Sequence, residues 1–248
     1  MSRPRLPVSE GDIAPGRSEL ALQGKELRYL GRVLRLGMGD EVVLFDAVGR
    51  EADARVVRAG PRELVLALGE RRYVVPQVRT SISLMVSLLK HEKMDWVVQK
   101  ATELGAREIV PVASDNAVVR LDGERAAARV ARWRKIALEA TRQSGRAVAP
   151  QVAEVRPFAA ALSADSEVRL LFWEQQRAAP LAEALRGAPP PRVAALIGPE
   201  GGFSDGEVSA AVEAGWSAVG LGPYVLRAET AALAALTVLQ WHYGALTL

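Results

Sequence analysis

The chain of 248 residues contains no cysteine, so it forms no disulfide, carries no thiolate nucleophile and builds no Cys-ligated zinc site. It has only two histidines, His91 and His242, far apart in sequence, which argues against a His-dependent triad or a multi-His metal centre. No run of 18 apolar residues occurs, and Met1-Ser2-Arg3-Pro4 begins no signal-peptide pattern, so a cytoplasmic protein that needs neither membrane nor metal is expected. No G-x-G-x-x-G opens a strand-helix unit, which weighs against a Rossmann-type cofactor site. No G-x-x-x-x-G-K-[ST] occurs either, which disfavours a nucleoside triphosphate. Neither sign of charge dominates, with 32 Lys and Arg against 29 Asp and Glu. The imbalance is local: nine cationic against five acidic residues from Arg107 to Arg146, seven against four from Met1 to Leu36, and three against five from Arg186 to Leu248. Nearly all the excess cations are arginines, which fork onto phosphate and stack on bases. The pattern fits either a polyanionic partner or a solvated arginine-rich helix face.

What the chain does have is a pair of glycine-bearing loops near its end. The first is Leu196-Ile197-Gly198-Pro199-Glu200-Gly201-Gly202-Phe203-Ser204, and the second runs from Gly220 through Pro223, Arg227 and Glu229 to Ala231. Each follows a short apolar run that reads as a buried strand, and each leads into a helix. Glycines let backbone groups approach a ligand with no Cβ in the way. Ser204 with Glu207 three residues on fits a capping box, so a helix starts just after the first loop. Two such loops at neighbouring strand ends would make a pocket lined by backbone, the usual ligand position of an α/β sheet.

The first 75 or so residues read as β-rich. Strands are predicted at 40–46, 51–57 and 63–68 with Gly/Pro punctuation, preceded by a helix from Lys25 to Arg35, and suggest a small barrel. The stretch 76–80 is the expected linker. Beyond it strands alternate with amphipathic helices: strands at 82–89, 109–112, 168–173, 193–197 and 218–221, and helices at 92–104, 122–144 and 229–246. This predicts a mostly parallel sheet covered on both faces.

Lys93-Met94-Asp95-Trp96-Val97-Val98-Gln99-Lys100-Ala101-Thr102-Glu103-Leu104-Gly105 resembles the signature helix of the ribosomal RNA small-subunit methyltransferase E family. Gln143-Ser144-Gly145-Arg146 and both glycine loops follow in that family's order and spacing. At the front, Tyr29-Leu30 through Val33-Leu34-Arg35 and then Gly39-Asp40 resemble the start of its N-terminal domain, so the likeness covers essentially the whole chain. It implies an α/β, SPOUT-type, trefoil-knotted sheet over 76–248 and a smaller PUA-like β-barrel over 1–75 implicated in RNA binding. A threaded knot is an exception to ordinary chain topology that periodicity cannot show. The implied activity is S-adenosyl-L-methionine-dependent methylation of uridine N3 in 16S ribosomal RNA of the small subunit, by a homodimer. The alternative is a knotted RNA-binding or ribosome-assembly protein with lost or altered methyltransferase activity.

By the same resemblance the cofactor lies against Leu196, Ile197, Gly198, Pro199, Glu200 and Gly201 of the first loop and Leu221, Gly222, Leu226 and Thr230 of the second, with 172–174 close by. A Cβ at Gly198, Gly201 or Gly222 is expected to collide with the cofactor, and Leu196 or Leu226 to supply an apolar wall. Methylating N3 requires removal of the imide proton and stabilisation of charge spreading onto O2 and O4, for which Arg227 is the expected cation. The base is Glu229, Glu200 or water. Lys93, Lys100, Arg146 and Arg35 are the expected RNA contacts, although Lys100 and Glu103 are also spaced to pair on one helix face. Three positions depart from the family pattern: Asn116 and Tyr224 where cations are usual, and Arg142 where a glutamate is usual.

Overall fold

A computed structural model describes residues 3–24, 27, 36–74, 79–176, 181–243 and 245–246. Contacts divide it into two compact units, Met1–Pro76 with Thr141–Ala149, and Gln77–Ala140 with Pro150–Leu248.

The first unit is a five-stranded sheet: β1 (Arg5–Pro7), β2 (Glu19–Leu22), β3 (Glu41–Phe45), β4 (Arg50–Ala59) and β5 (Leu64–Tyr73). The order is β1-β3-β4-β5-β2, with β1 parallel to β3 and the other pairs antiparallel. Two register irregularities between β4 and β5, at 52/54 and 56/58, curl the sheet, as bulges do. Alternating residues (Leu20 and Leu22, Val42 and Leu44, Leu64 and Leu66) fill its inner face. The curled sheet is consistent with the expected PUA-like domain, although among the described residues its end strands β1 and β2 are not paired with each other. β1 and β2 were not foreseen because each is short. Buried Glu51 is held by Arg5 at 2.6 Å and Arg72 at 2.8 Å, so its charge is compensated. All of the expected helix 25–35 except Leu27, and most of the expected linker, lie outside the described residues.

The second unit holds a seven-stranded sheet in which every pairing is parallel. Its strands are β6 (Ser81–Ser87), β7 (Glu108–Ala113), β8 (Gln151–Val152), β9 (Arg156–Pro157), β10 (Val168–Phe172), β11 (Arg192–Ile197) and β12 (Ser217–Val219). They run in the order β12-β10-β11-β6-β7-β8, with β9 also on β7. The longer helices are α1 (Lys93–Glu103) and α2 (Gly123–Ser144). After the short α3 (Phe158–Ala161) and α4 (Leu181–Ala184) come α5 (Asp205–Glu213) and α6 (Ala228–His242). Neither short helix, nor the two-residue β8 and β9, was foreseen; such pieces span only about one period, too little for a pattern to repeat.

Strand alternation sorts the core onto two faces. Leu84, Val86, Val193, Ala195 and Ile197 pack with Met94, Val97 and Val98 of α1, Val130 and Trp133 of α2, and Ala232, Leu236 and Leu239 of α6. Met85, Ala194 and Leu196 turn the other way, towards Phe203 and Val208 and Ala211 of α5. The Ser204 hydroxyl accepts from Glu207 N–H at 3.2 Å while the Ser204 N–H donates to Glu207 at 3.0 Å, so the expected capping box forms. The α/β class with parallel sheet and covering helices is as expected.

Candidate functional site

Because β10 lies between β12 and β11, with Phe172 level with both Ile197 and Val219, the two glycine loops leave the sheet at the same edge and face each other. They enclose a cleft of about 390 Å³, lined by 172–174, 197–202, 220–222, 224–228 and Ala231. That volume is in the range of small-molecule and cofactor sites. Of the expected cofactor residues, Ile197, Gly198, Pro199, Glu200, Gly201, Leu221, Gly222 and Leu226 all line it.

Two expected residues do not. Leu196 is fully buried on the opposite face of β11, against Met85 and Phe203, since successive strand residues point to opposite faces. Leu226 lines the cleft, as an apolar wall requires. Thr230 lies on a second hollow, because helical rotation turns Ala228 and Ala231 of α6 towards the cleft and Glu229 and Thr230 away from it.

The first loop is held from below by the turn that follows β7. The Asn116 amide donates to the carbonyl oxygens of Gly202 at 3.2 Å and Gly201 at 3.4 Å. Buried Glu207 accepts from the Asp115 N–H at 2.8 Å, and the Ser204 hydroxyl donates to Asp115 at 2.8 Å. The protein itself crowds two of these glycines, whereas a Cβ at Gly222, at φ +104°, would meet nothing within 4 Å. A Cβ at Gly201 would lie 3.2 Å from the Asn116 Cβ, and one at Gly198 would lie 3.3 Å from the Phe203 ring. Gly202, at φ +71°, faces the Glu174 carboxylate, onto which a side chain would fall. Asn116 stood out in the sequence as a departure in charge; its function as a clamp needed the loop beside it.

The second hollow is a groove of about 1010 Å³ between the start of α1, α2 and the first turn of α6. Arg227 lines both hollows and is the N-terminal cap residue of α6. Its exposed guanidinium makes no ion pair or hydrogen bond among the described residues. Lys93 stands at the other side, with its ammonium 3.1 Å from Glu200 and 3.3 Å from Glu229. The N–H of Lys90 also donates to Glu200 at 3.1 Å. Hydrogen bonding to Glu200, with a smaller contribution from Glu229, raises the Lys93 pKa against the opposing effect of burial. Burial works to raise the Glu200 carboxyl, but its own N–H, Lys93 and the Lys90 N–H together hold it below the usual carboxylate range. No local spacing signals this contact, because Lys93 lies 107 residues from Glu200 in the chain.

The other expected RNA contacts are elsewhere. Lys100 forms its anticipated pair with Glu103, at 2.9 Å, and lines neither hollow. Arg146 belongs to the segment 141–149 of the first unit, where its carbonyl accepts from Arg5 at 3.0 Å. Arg35 lies outside the described residues. Tyr224 is 82% exposed on the rim of the cleft.

The residues suit a methyl-donor nucleoside. Ile197, Leu221, Leu226, Ala228 and Ala231 give an apolar wall, and loop backbone gives donors and acceptors. Trp173 lines the cleft with its buried indole N–H unpartnered among the described residues. No cluster of three or more potential metal ligands occurs among the described residues, and no helix there is long and apolar enough to cross a membrane.

Comparison with known proteins gives two family matches, an RNA methyltransferase domain over residues 76–240 and an RNA methyltransferase PUA domain over 22–68. Ribosomal RNA small subunit methyltransferase E of Bacillus subtilis is 30% identical over 229 residues, covering 90% of each chain. The protein of the same name from Mycobacterium bovis is 34% identical over 234 residues, covering 91% of this chain and 87% of its own. Among solved structures, the Neisseria gonorrhoeae ribosomal RNA small subunit methyltransferase E bound to S-adenosyl methionine superposes with a TM-score of 0.85 at 34% identity, covering 96% of this chain and 97% of its own. A Legionella pneumophila protein with bound cofactor SAM gives 0.87 at 30% identity, covering 97% and 98%.

Proposed function

The chain belongs to the RNA methyltransferase family whose domain spans residues 76–240, and on that premise we propose that it transfers a methyl group from S-adenosylmethionine to uridine N3 of small-subunit ribosomal RNA. The observation that carries the reading is the cleft between the two glycine loops, with unpaired Arg227 shared between it and the adjoining groove. We read 76–248, most of which lies in the second unit, as the SPOUT-type knotted catalytic domain, and 1–75 as the PUA-like RNA-binding domain, to whose compact unit the segment 141–149 also belongs.

When bound, the cofactor supplies an electrophilic methyl on a sulfonium; N3 of the deprotonated uridine takes that carbon, the S–C electron pair stays on sulfur, and one proton is released. The chain's own residues do the rest. Backbone of 197–201 and 221–226 holds the nucleoside against the apolar wall, and Asn116 keeps the first loop in shape. Arg227 places a fixed cation where negative charge spreads onto O2 and O4, and losing one such contact typically slows a reaction on the order of 100-fold. Glu229 on the groove side and Glu200 in the cleft, 3.3 and 3.1 Å from Lys93, are the carboxylates that compete with water for the released proton.

A homodimer is part of the proposal. α6 is apolar nearly all round, and Val238 and Trp241 remain exposed on it, as expected of a helix covered in an assembly. A ribosomal substrate places the reaction in the cytoplasm. The rival reading, a knotted RNA-binding or ribosome-assembly protein with lost or altered methyltransferase activity, draws on the departures at Asn116, Arg142 and Tyr224, of which Asn116 supports the first loop.

Calorimetry with S-adenosylmethionine, together with a methylation assay on unmodified small subunits and mapping of the product nucleoside, tests the proposal. Micromolar binding abolished by Gly201→Val, with 3-methyluridine as product, is the expected result. Folded protein that binds no cofactor in the presence of subunits overturns it.

A further inference from the structure

The groove beside the donor cleft has features that cofactor binding does not use. Its wall on α1 carries Trp96, 43% exposed although its neighbours Met94, Val97 and Val98 are buried in the core. The wall is rigid. Asp95 accepts two hydrogen bonds from Arg132, at 2.6 and 2.8 Å, and one from the indole N–H of Trp133 at 2.9 Å, which ties α1 to α2. Among the cations of the groove, Arg132 is committed to Asp95 and Lys93 to Glu200 and Glu229. Arg129 and Arg227 make no ion pair or hydrogen bond among the described residues. The groove therefore offers one open aromatic face and two uncommitted guanidinium groups, and Arg227 joins it to the donor cleft.

An aromatic face flanked by free arginines matches an unstacked nucleotide of single-stranded RNA, whose base stacks while arginine takes the phosphate. Resting on the function proposed above, we infer that this groove seats the acceptor nucleotide, with its base on Trp96, its flanking phosphate on Arg129, and its reacting edge towards Arg227. Chemistry on a base requires it to leave its stack, and Trp96 replaces the lost stacking partner. A second protein chain covering Trp96 is the competing use of the same face.

The test uses the full-length protein and unmodified small ribosomal subunits, with Trp96→Ala, Trp96→Phe and Arg129→Ala. For each, cofactor affinity is measured by calorimetry, oligomeric state by sedimentation, subunit affinity by direct binding without cofactor, and kcat and KM by methylation. Trp96→Ala is expected to leave cofactor affinity and oligomeric state unchanged while weakening subunit binding and raising KM by about tenfold or more, as losing one base-aromatic stack does. Trp96→Phe restores most of the loss, and Arg129→Ala weakens binding with a smaller salt slope. Unchanged subunit affinity in Trp96→Ala, or a changed oligomeric state, overturns the inference. Failure of the wild type to bind cofactor overturns the enzymatic reading instead, and the direct-binding comparison still decides the groove.

Discussion

The Lys93 ammonium and the Glu200 carboxylate lie 3.1 Å apart, joining the first turn of α1 to the loop that follows β11. Glu229, 3.3 Å from the same ammonium, makes Lys93 a bridge between the donor loop and the first turn of α6. Two carboxylates thus share one cation between the two hollows.

Removing that cation leaves the two carboxylates to repel each other. Lys93→Met is expected to raise the cofactor Kd about fivefold and to lower stability by on the order of 1 kcal/mol, a discounted value because the ammonium is partly exposed. Lys93→Arg retains most of the affinity. Calorimetry beside thermal melts checks this; an unchanged Kd in Lys93→Met sinks it.

The same pair sets a pH dependence with a definite sign. The Glu200 carboxyl is held below its ordinary 4.5, so its stabilising effect is present above that value and is lost as pH falls through the lower folded pKa. Lys93 is held above its ordinary 10.5, so its effect is complete below that value and is lost as pH rises through the higher folded pKa. Between those limits the pair contributes no slope to the wild-type melting temperature. In Lys93→Met the acid limb contributed by Glu200 shrinks, which melts over pH 3 to 6 on both proteins would show.

Asn116 holds two loop carbonyls, and Asn116→Ala leaves them without that donor. A loss of about 1 kcal/mol in loop stability is expected, read as a several-fold weaker cofactor Kd with the overall fold intact. Hydrogen exchange should quicken at 200–203 and not in the first unit; uniform exchange would contradict the clamp.

Arg227→Ala is expected to lower kcat about 100-fold while the cofactor Kd changes by less than threefold, the pattern of a contact made in the transition state. Arg227→Lys recovers part of the rate. A loss confined to cofactor Kd would assign the guanidinium to binding.

Leu196 and Leu226 separate core from cleft. Leu196→Ala removes a fully buried side chain and is expected to cost about 2–5 kcal/mol with little change in cofactor Kd. Leu226→Ala is expected to weaken binding at small cost in stability. Denaturant melts with calorimetry distinguish the two; reversed effects would return Leu196 to the cleft.

Local rules carried much of the site into view. The glycine loops, the capping box of Ser204 with Glu207, the Lys100–Glu103 pair and the alternation of strand and helix all depend on neighbours within a few residues, so sequence alone determined them. The position of the cleft followed from two loops at strand ends, because parallel sheets place ligands there. Tertiary structure decided which face of β11 Leu196 serves, since alternation assigns two faces without saying which one a ligand meets. It also decided that Thr230 turns from the cleft, that Asn116 clamps the loop and that Lys93 is committed to Glu200 and Glu229. The last two rest on contacts between residues far apart in the chain, and the order of strands across the sheet, which no local spacing encodes, brings those residues together.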